Sequence, residues 1–437
     1  MARFKRWKVI LVIIGAASIF MFGCEKAVKE HAKKVHLTFA SCETMPAQVA
    51  VTKEVIKAFE KKHPNIKVEL QLAKEEKILV QIAGGAGPDI FLWHDIKLAP
   101  LAEKGILLDI SSFMNKEDFD SSKFFSAAIR SCSYNNRLYG LPVFVNTHVI
   151  FYNQDLFDEE GVRYPTPDWT WDDFLKAAIK LTKDIDGDGR TDQFGGVEYQ
   201  ELEAMFDSFG ATYNECRVNS FPDWVKATQF LIDLRRKYKV FPSAGDTSSS
   251  TGLGGVKAFV AFANQRAAMF VAGVHLIPEI SKRCNNFRWD IAVAPKVKGK
   301  DRRAIIRGVQ MICILRTTKH PQEAWEFAKF YCGAKAWERR GMSKIGIPAL
   351  KEVATSDSFL NYPKGLRSIV ESIKDAKSIH FHPKCAEFMG KIFYPEMGKA
   401  FLGLQTAEET VKNIDCLLYT SDAADELDGV DLGGRRI

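Results

Sequence analysis

Short apolar runs alternate along this chain with longer stretches whose apolar positions recur every three or four residues. VHLTFA, from Val35, reads as a buried strand. In the following QVAVTKEVIKAFEKKHPN, Val51, Val55 and Phe59 fall on one stripe of a helix. That helix must stop before Pro64, because the residue preceding a proline is driven out of helical geometry. Ile66, Val68, Leu70 and Leu72 then alternate with polar residues, the period of a strand. A helix running to Ile82, the apolar strand IFLW and a helix near Leu98 to Lys104 continue the rhythm. Strands alternating with helices predict an α/β domain built on a largely parallel sheet.

The rhythm breaks at Leu141, where LPVFVNTHVIFYN is one extended run without a helix. After it, in PTPDWTWDDFLKAAIKLTKD, Thr170 and Asp173 have the spacing of a capping box. Helices dominate as far as Val240, with Phe206, Phe209, Trp224, Phe230, Leu231 and Leu234 among their apolar positions. WDIAVAP is a further strand, and IIRGVQMICIL is a second extended run leading into the helix HPQEAWEFAKFYC. GMSKIGIPAL is a candidate third crossing, and Ser356 to Asp415 is helix-rich. Two long lobes joined by two or three extended crossings predict a hinged protein with a cleft between α/β lobes.

Length supports this division, since 437 residues exceed what one ordinary core accommodates. Both ends are set apart from the folded body. MARFKRWK, an apolar run and Gly23-Cys24 form an export signal over residues 1–23, too short and too quickly followed by charge for a spanning helix. Met21-Phe22-Gly23-Cys24 resembles a bacterial lipoprotein box, which implies lipidation of Cys24 and a tether over residues 24–34; a plain signal or an uncleaved anchor is the alternative. Residues 416–437, CLLYTSDAADELDGVDLGGRRI, lack periodicity and read as translated sequencing-library adapter DNA, which would place the natural end beyond Asp415. Of the formal charge of +7, the signal carries +4 and the 416–437 tail −3, leaving +6 spread along the body, where no basic block alternates with aromatics as a nucleic-acid groove requires. Of the nine cysteines, setting aside Cys24 and Cys416 leaves an odd number at irregular spacing without CxxC, which argues against structural zinc and leaves disulfide pairing open.

The stretch AGGAGPDIFLWHD (83–95) tests the chemistry most directly. Gly84, Gly85 and Gly87 follow a helix and precede a strand, the reverse of the order that phosphate and dinucleotide loops require, so they are structural. Trp93, His94 and Asp95 instead emerge at the carboxyl end of a strand, where open α/β sheets bind ligands. DIDGDGRTD places Asp184, Asp186, Asp188 and Asp192 at the first, third, fifth and ninth positions of a calcium-type loop, but Gly195 stands where the bidentate Glu belongs. A structural calcium and a solvated turn are both open readings. No HExxH, GxSxG or Walker motif is present, and no isolated carboxylate pair marks a glycosidase. An enzyme is not expected.

Segments in a fixed order carry a resemblance: AFEKKHPNIKVEL (58–70), GGAGPDIFLWHD (84–95), LAEKGILLDIS (101–111), YGLPVFVNTHVIFYNQDLF (139–157), WTWDDFLKAAIKL (169–181), DIDGDGRTDQFG (184–195), FANQRAAMFVAGVH (262–275) and TKHPQEAWEFAKFY (318–331). The chain resembles the bacterial extracellular solute-binding proteins of family 1, the sugar-binding components of ABC transporters. The resemblance implies a periplasmic-binding-protein type II fold: an α/β protein whose two lobes are joined by a two- to three-segment hinge around a ligand cleft. Lobe I would hold residues 35–145 plus 311–342, and lobe II residues 146–310 plus 343–415. It further implies that Trp93 stacks on a sugar ring and Asp95 accepts its hydroxyls. Glu43, Asn146, Glu198, Tyr199 and His275 would line the rest of the cleft, with His275 standing where many members place a tryptophan. The implied protein is an exported, lipid-anchored monomer that passes a mono- or oligosaccharide to membrane permease subunits and binds no nucleic acid. A different cargo on the same fold (a sugar or polyol phosphate, a polyamine, an oligopeptide) and a surface carbohydrate-active enzyme are the rival readings.

Overall fold

The structure is a computed structural model describing residues 34–415, apart from 44–45, 118, 200–201, 212–217, 244–254, 301–307, 341–343, 375 and 377–384. The expected export signal, Cys24, most of the tether and the 416–437 tail lie outside the described residues. Among the described residues, no helix is long and apolar enough to cross a membrane.

Two principal sheets organise the chain. The first has six strands: β1 (Val35–Ser41), β2 (Ile66–Leu72), β3 (Ile90–His94), β6 (Gly140–Val145), β11 (Val309–Ile314) and β12 (Ile347–Pro348), in the order β12-β6-β11-β3-β1-β2. β1 runs parallel to β2 and β3, whereas β11 is antiparallel to both β3 and β6. The short β4 (Ser133–Tyr134) and β5 (Arg137–Leu138) form a hairpin of their own. The second sheet has four strands: β7 (His148–Asn153), β8 (Val197–Glu198), β9 (Met269–Gly273) and β10 (Trp289–Val293), in the order β10-β7-β9-β8. The extended run at 141–153 is therefore two strands in different sheets, with Asn146 and Thr147 crossing between them.

Local signals set the flanking elements. The helix Pro46–Lys62 ends before Pro64, and Thr170 and Asp173 form the capping box that starts the helix Trp171–Leu181. The glycines at 84–87 close the helix Glu75–Ala83, where Gly85 takes φ +71°. Asp89 then fastens the strand that follows: one carboxylate oxygen accepts from the Thr38 amide and hydroxyl at 2.8 Å, the other from the Thr318 hydroxyl at 2.6 Å. These glycines make a turn, as their order in the sequence predicts.

Every residue of β7 is buried, and its alternate positions serve two cores. Val149 and Phe151 face a core continuous with the first lobe, while Ile150 and Tyr152 face one built with Trp171, Phe174, Trp224 and Phe393. A sheet covered on both faces explains why these strands read as unbroken apolar runs. The structure moves two expected lobe boundaries. Val309 and Gln310 belong to the first sheet, and so do Ile347 and Pro348, which pair with Val145 and Phe144. The third crossing thus begins beyond β12 rather than at residue 343.

Candidate functional site: a polar cleft at the crossing

Because β1, β2 and β3 run parallel, their carboxyl ends share one edge of the first sheet. Cys42 and Glu43 follow β1, the first turn of the helix Glu75–Ala83 follows β2, and His94 ends β3. There the Glu75 carboxylate meets His94 Nδ1 at 2.6 Å through one oxygen and Lys97 Nζ at 2.5 Å through the other. Burial alone would raise the Glu75 carboxyl, but the hydrogen bonds and charges of His94 and Lys97 outweigh it and hold the group at about 2. Glu43 is half-buried, and its amide donates to the Ser41 hydroxyl at 3.2 Å. Burial pushes the Glu43 carboxyl up, against the pull of Arg340 and His94. Arg340 lies beneath this wall, its guanidinium 4.2 Å from the Tyr331 ring centroid and 4.9 Å from that of Trp337.

The second sheet presents its own carboxyl edge. β8 and β9 are parallel, and Tyr199, just past β8, donates its amide to the Val271 carbonyl at 2.9 Å. His275 sits in the turn after β9, and the two rings meet edge to face at 6.0 Å and 72°. Both remain half-exposed.

Register brings the two edges to the same place. His94 pairs with Gln310, which also pairs with Phe144 at the end of β6, two residues before Asn146. On the other side His148 pairs with Gly273, and the Val274 amide donates to the Thr147 carbonyl at 3.1 Å. The crossings are tied together where the Asn146 amide donates to Gly308 at 2.8 Å, and Gly308 turns with φ +87°. At this junction Asn146 Oδ1 and Gln310 Oε1 are buried without a hydrogen-bond partner among the described residues. A buried amide oxygen left unbonded costs on the order of 1–3 kcal/mol, so a pair beside a cleft calls for a donor from outside.

Of the residues expected from the sequence, Glu43 lies at the carboxyl edge of the first sheet, Tyr199 and His275 at that of the second, and Asn146 on the crossing between them. Three others are buried. Trp93 is 1% exposed, packs edge to face on Phe91 at 5.5 Å and donates Nε1–H to the Lys97 carbonyl at 2.9 Å. It is a core ring of the first lobe rather than a stacking platform. Asp95 is buried, with one oxygen accepting from the Ile96 amide at 3.0 Å, and its charge, after burial itself, helps push the buried Cys132 thiol up. Glu198 is 8% exposed and paired with the still more deeply buried Arg235 inside the second lobe. The structure adds Glu75, Lys97 and Gln310, and it gives His94, noted at the strand end, its Glu75 partner. Phe388 and Met389 are core residues of the second lobe.

The aspartate loop stands apart from the cleft. The side chains of Asp184, Asp186 and Asp188 are exposed and converge to within 4.8 Å. Asp184 accepts the amides of Gly187 at 2.8 Å and Gly189 at 2.9 Å, and Asp192 accepts that of Ile185 at 2.8 Å. At the twelfth position a side chain on Gly195 would meet the Ala178 carbonyl oxygen at 2.1 Å, so no ligating residue fits there. The loop therefore falls short of a complete calcium cage.

Two α/β lobes, a tied double crossing and polar walls at the sheets' carboxyl edges define a cleft-type binding protein. The model of the bacterial extracellular solute-binding protein family matches residues 44–336, and the chain belongs to that family. Its fold is the type II periplasmic-binding-protein fold. The arabinooligosaccharide-binding protein of Bacillus subtilis is 26% identical over 412 residues, covering 86% of this chain and 90% of that protein. A lipoprotein of Streptomyces antibioticus is 23% identical over 455 residues, covering 98% and 96%. The solved structure of an ABC substrate-binding protein from Listeria monocytogenes in complex with cycloalternan superposes with a TM-score of 0.76 at 26% identity, covering 90% of this chain and all of that one.

Proposed function

We propose that this protein is the substrate-binding component of an ABC importer, and that it captures an oligosaccharide at the junction of its lobes. The observation that carries the reading is the pair of buried, unbonded amide oxygens, Asn146 Oδ1 and Gln310 Oε1, set between two polar walls. Sugar hydroxyls are the donors such acceptors lack, and they also accept from Lys97 and donate to Glu75 or Glu43. Tyr199 and His275 offer ring surface to the apolar faces of a pyranose or furanose. Acids and cations are interspersed along the first wall, which favours a neutral cargo over a phosphate or a polyamine. The ligands named for the Bacillus and Listeria relatives support the same class.

Ligand touching both walls stabilises a closed state that a permease can distinguish from the empty one. We further infer export and lipid attachment at Cys24, in keeping with the Streptomyces relative's description as a lipoprotein. The binding unit is read as a monomer that needs no cofactor to hold its sugar, and the aspartate loop as a self-supported turn. The test is a thermal-shift panel of neutral oligosaccharides, sugar phosphates and polyamines. At a hundred times its dissociation constant a true ligand adds about 2.7 kcal/mol of stability. A saturable shift with neutral oligosaccharides is expected; shifts only with phosphates or amines would overturn the cargo, and release of cleaved sugar would overturn the binding role.

A further inference from the structure

The first wall also holds a mixed sulfur, nitrogen and oxygen donor set, of which the carbohydrate reading uses only Glu75. Cys42 Sγ, a Glu75 carboxylate oxygen and a His94 ring nitrogen lie within 4.8 Å of one another, each on a half-buried residue. They come from three separate segments: the turn after β1, the first turn of the helix Glu75–Ala83 and the last residue of β3. We propose that Cys42, Glu75 and His94 form a binding site for a divalent transition-metal ion of the zinc class. This inference does not depend on the carbohydrate reading.

Thiolate, imidazole and carboxylate together select zinc-class ions over calcium or magnesium, which take oxygen alone. Tetrahedral zinc with bonds of about 2.0–2.3 Å sets its ligands roughly 3.3–3.8 Å apart. The three donors reach that spacing by side-chain adjustment of about 1 Å, chiefly by opening the 2.6 Å contact between His94 Nδ1 and Glu75 Oε1. Lys97 Nζ, 2.5 Å from the other Glu75 oxygen, then acts as the outer partner that fixes the carboxylate's direction. On binding, the sulfur–metal bond replaces the Cys42 S–H bond and the proton leaves to solvent. The aspartate loop at 184–188 is exposed and offers oxygen alone, so it is not a site that a zinc-class ion selects.

The test is a zinc titration of the purified, untagged protein against a chromophoric chelator, alongside Cys42→Ser and His94→Gln, with circular dichroism confirming each variant's fold. A cobalt(II) absorption spectrum of each protein accompanies it. The expected result is one equivalent of zinc per chain, with affinity reduced at least tenfold in each variant, the low end of what even an outer-sphere change costs. Cobalt should give a thiolate-to-metal charge-transfer band that Cys42→Ser removes. No stoichiometric zinc binding, zinc binding unchanged by Cys42→Ser, or cobalt bound without that band would each overturn the site. No carbohydrate is needed, so failure here leaves the transport reading untouched, and the reverse also holds.

Discussion

Replacing Glu198 with alanine separates a structural role from a ligand-binding one. Glu198 and Arg235 are paired within the second lobe, with side-chain exposures of 8% and 2%. Arg235 is further held by its Nη1 bond to the Leu231 carbonyl at 3.0 Å and by the Phe401 ring, whose centroid lies 4.0 Å away. Burial pushes the Glu198 carboxyl up and the Arg235 guanidinium down, and their mutual attraction only partly offsets both shifts. The pair is therefore no great stabiliser as a unit, but either member left alone is costly. Removing one partner of such a buried pair typically costs about 3–5 kcal/mol, because the other charge stays uncompensated. Glu198→Ala should lose that much in urea unfolding, while the double replacement Glu198→Leu with Arg235→Met should recover most of it. Saccharide affinity of the folded fraction, measured by calorimetry below the unfolding midpoint, should stay within about threefold, under 0.7 kcal/mol. A Glu198→Ala protein of normal stability whose binding is abolished would refute the reasoning and restore Glu198 to the cleft.

Two further outcomes follow from the junction. The Glu75 carboxyl is held at about 2, against an ordinary value of 4.5. Its contribution is fully present above the unfolded value and is lost as pH falls through the folded one. The stability gap between wild type and Glu75→Gln, up to about 3 kcal/mol at neutral pH, should close between roughly pH 4.5 and 2, as denaturant titrations across that range would register. Gly308 turns with φ +87°, and among the described residues a Cβ there would meet the Asn146 Cβ alone, at 3.8 Å, so room is not the constraint. Gly308→Ala should cost about 1–2 kcal/mol of backbone strain by urea unfolding, and Gly308→Asn less, since asparagine tolerates that conformation.

Elements specified by neighbouring residues were legible in the sequence. The Thr170–Asp173 box and the stop before Pro64 depend on contacts a few residues apart, and both stand where expected. So do β1, β2, β3, β10 and the crossing at Asn146, whereas β9, a strand of the second sheet, was not read. What escaped depends on distant partners. Glu198 resembles a ligand contact until Arg235, 37 positions away, is seen to bury it. Trp93 lies in a strand covered on both faces, so its place at the strand end did not reveal whether the ring turned inward. Glu75 gains its role only from His94 and Lys97, 19 and 22 positions on, and its own helix shows nothing unusual. The short β12 went unread as a strand because its two residues gain their register only from β6.

The central claim is that one sugar is held by both lobes at once, and calorimetry on single-wall variants tests it most directly. The saccharide found in the thermal-shift panel would be titrated into wild type, Glu75→Ala and Tyr199→Ala, each first shown to be folded. Glu75 belongs to the first wall and Tyr199 to the second, and both should weaken binding by roughly tenfold or more, about 1.4 kcal/mol each. If either wall can be altered with affinity unchanged, the sugar is not clasped between the lobes, and the account of the cleft is wrong.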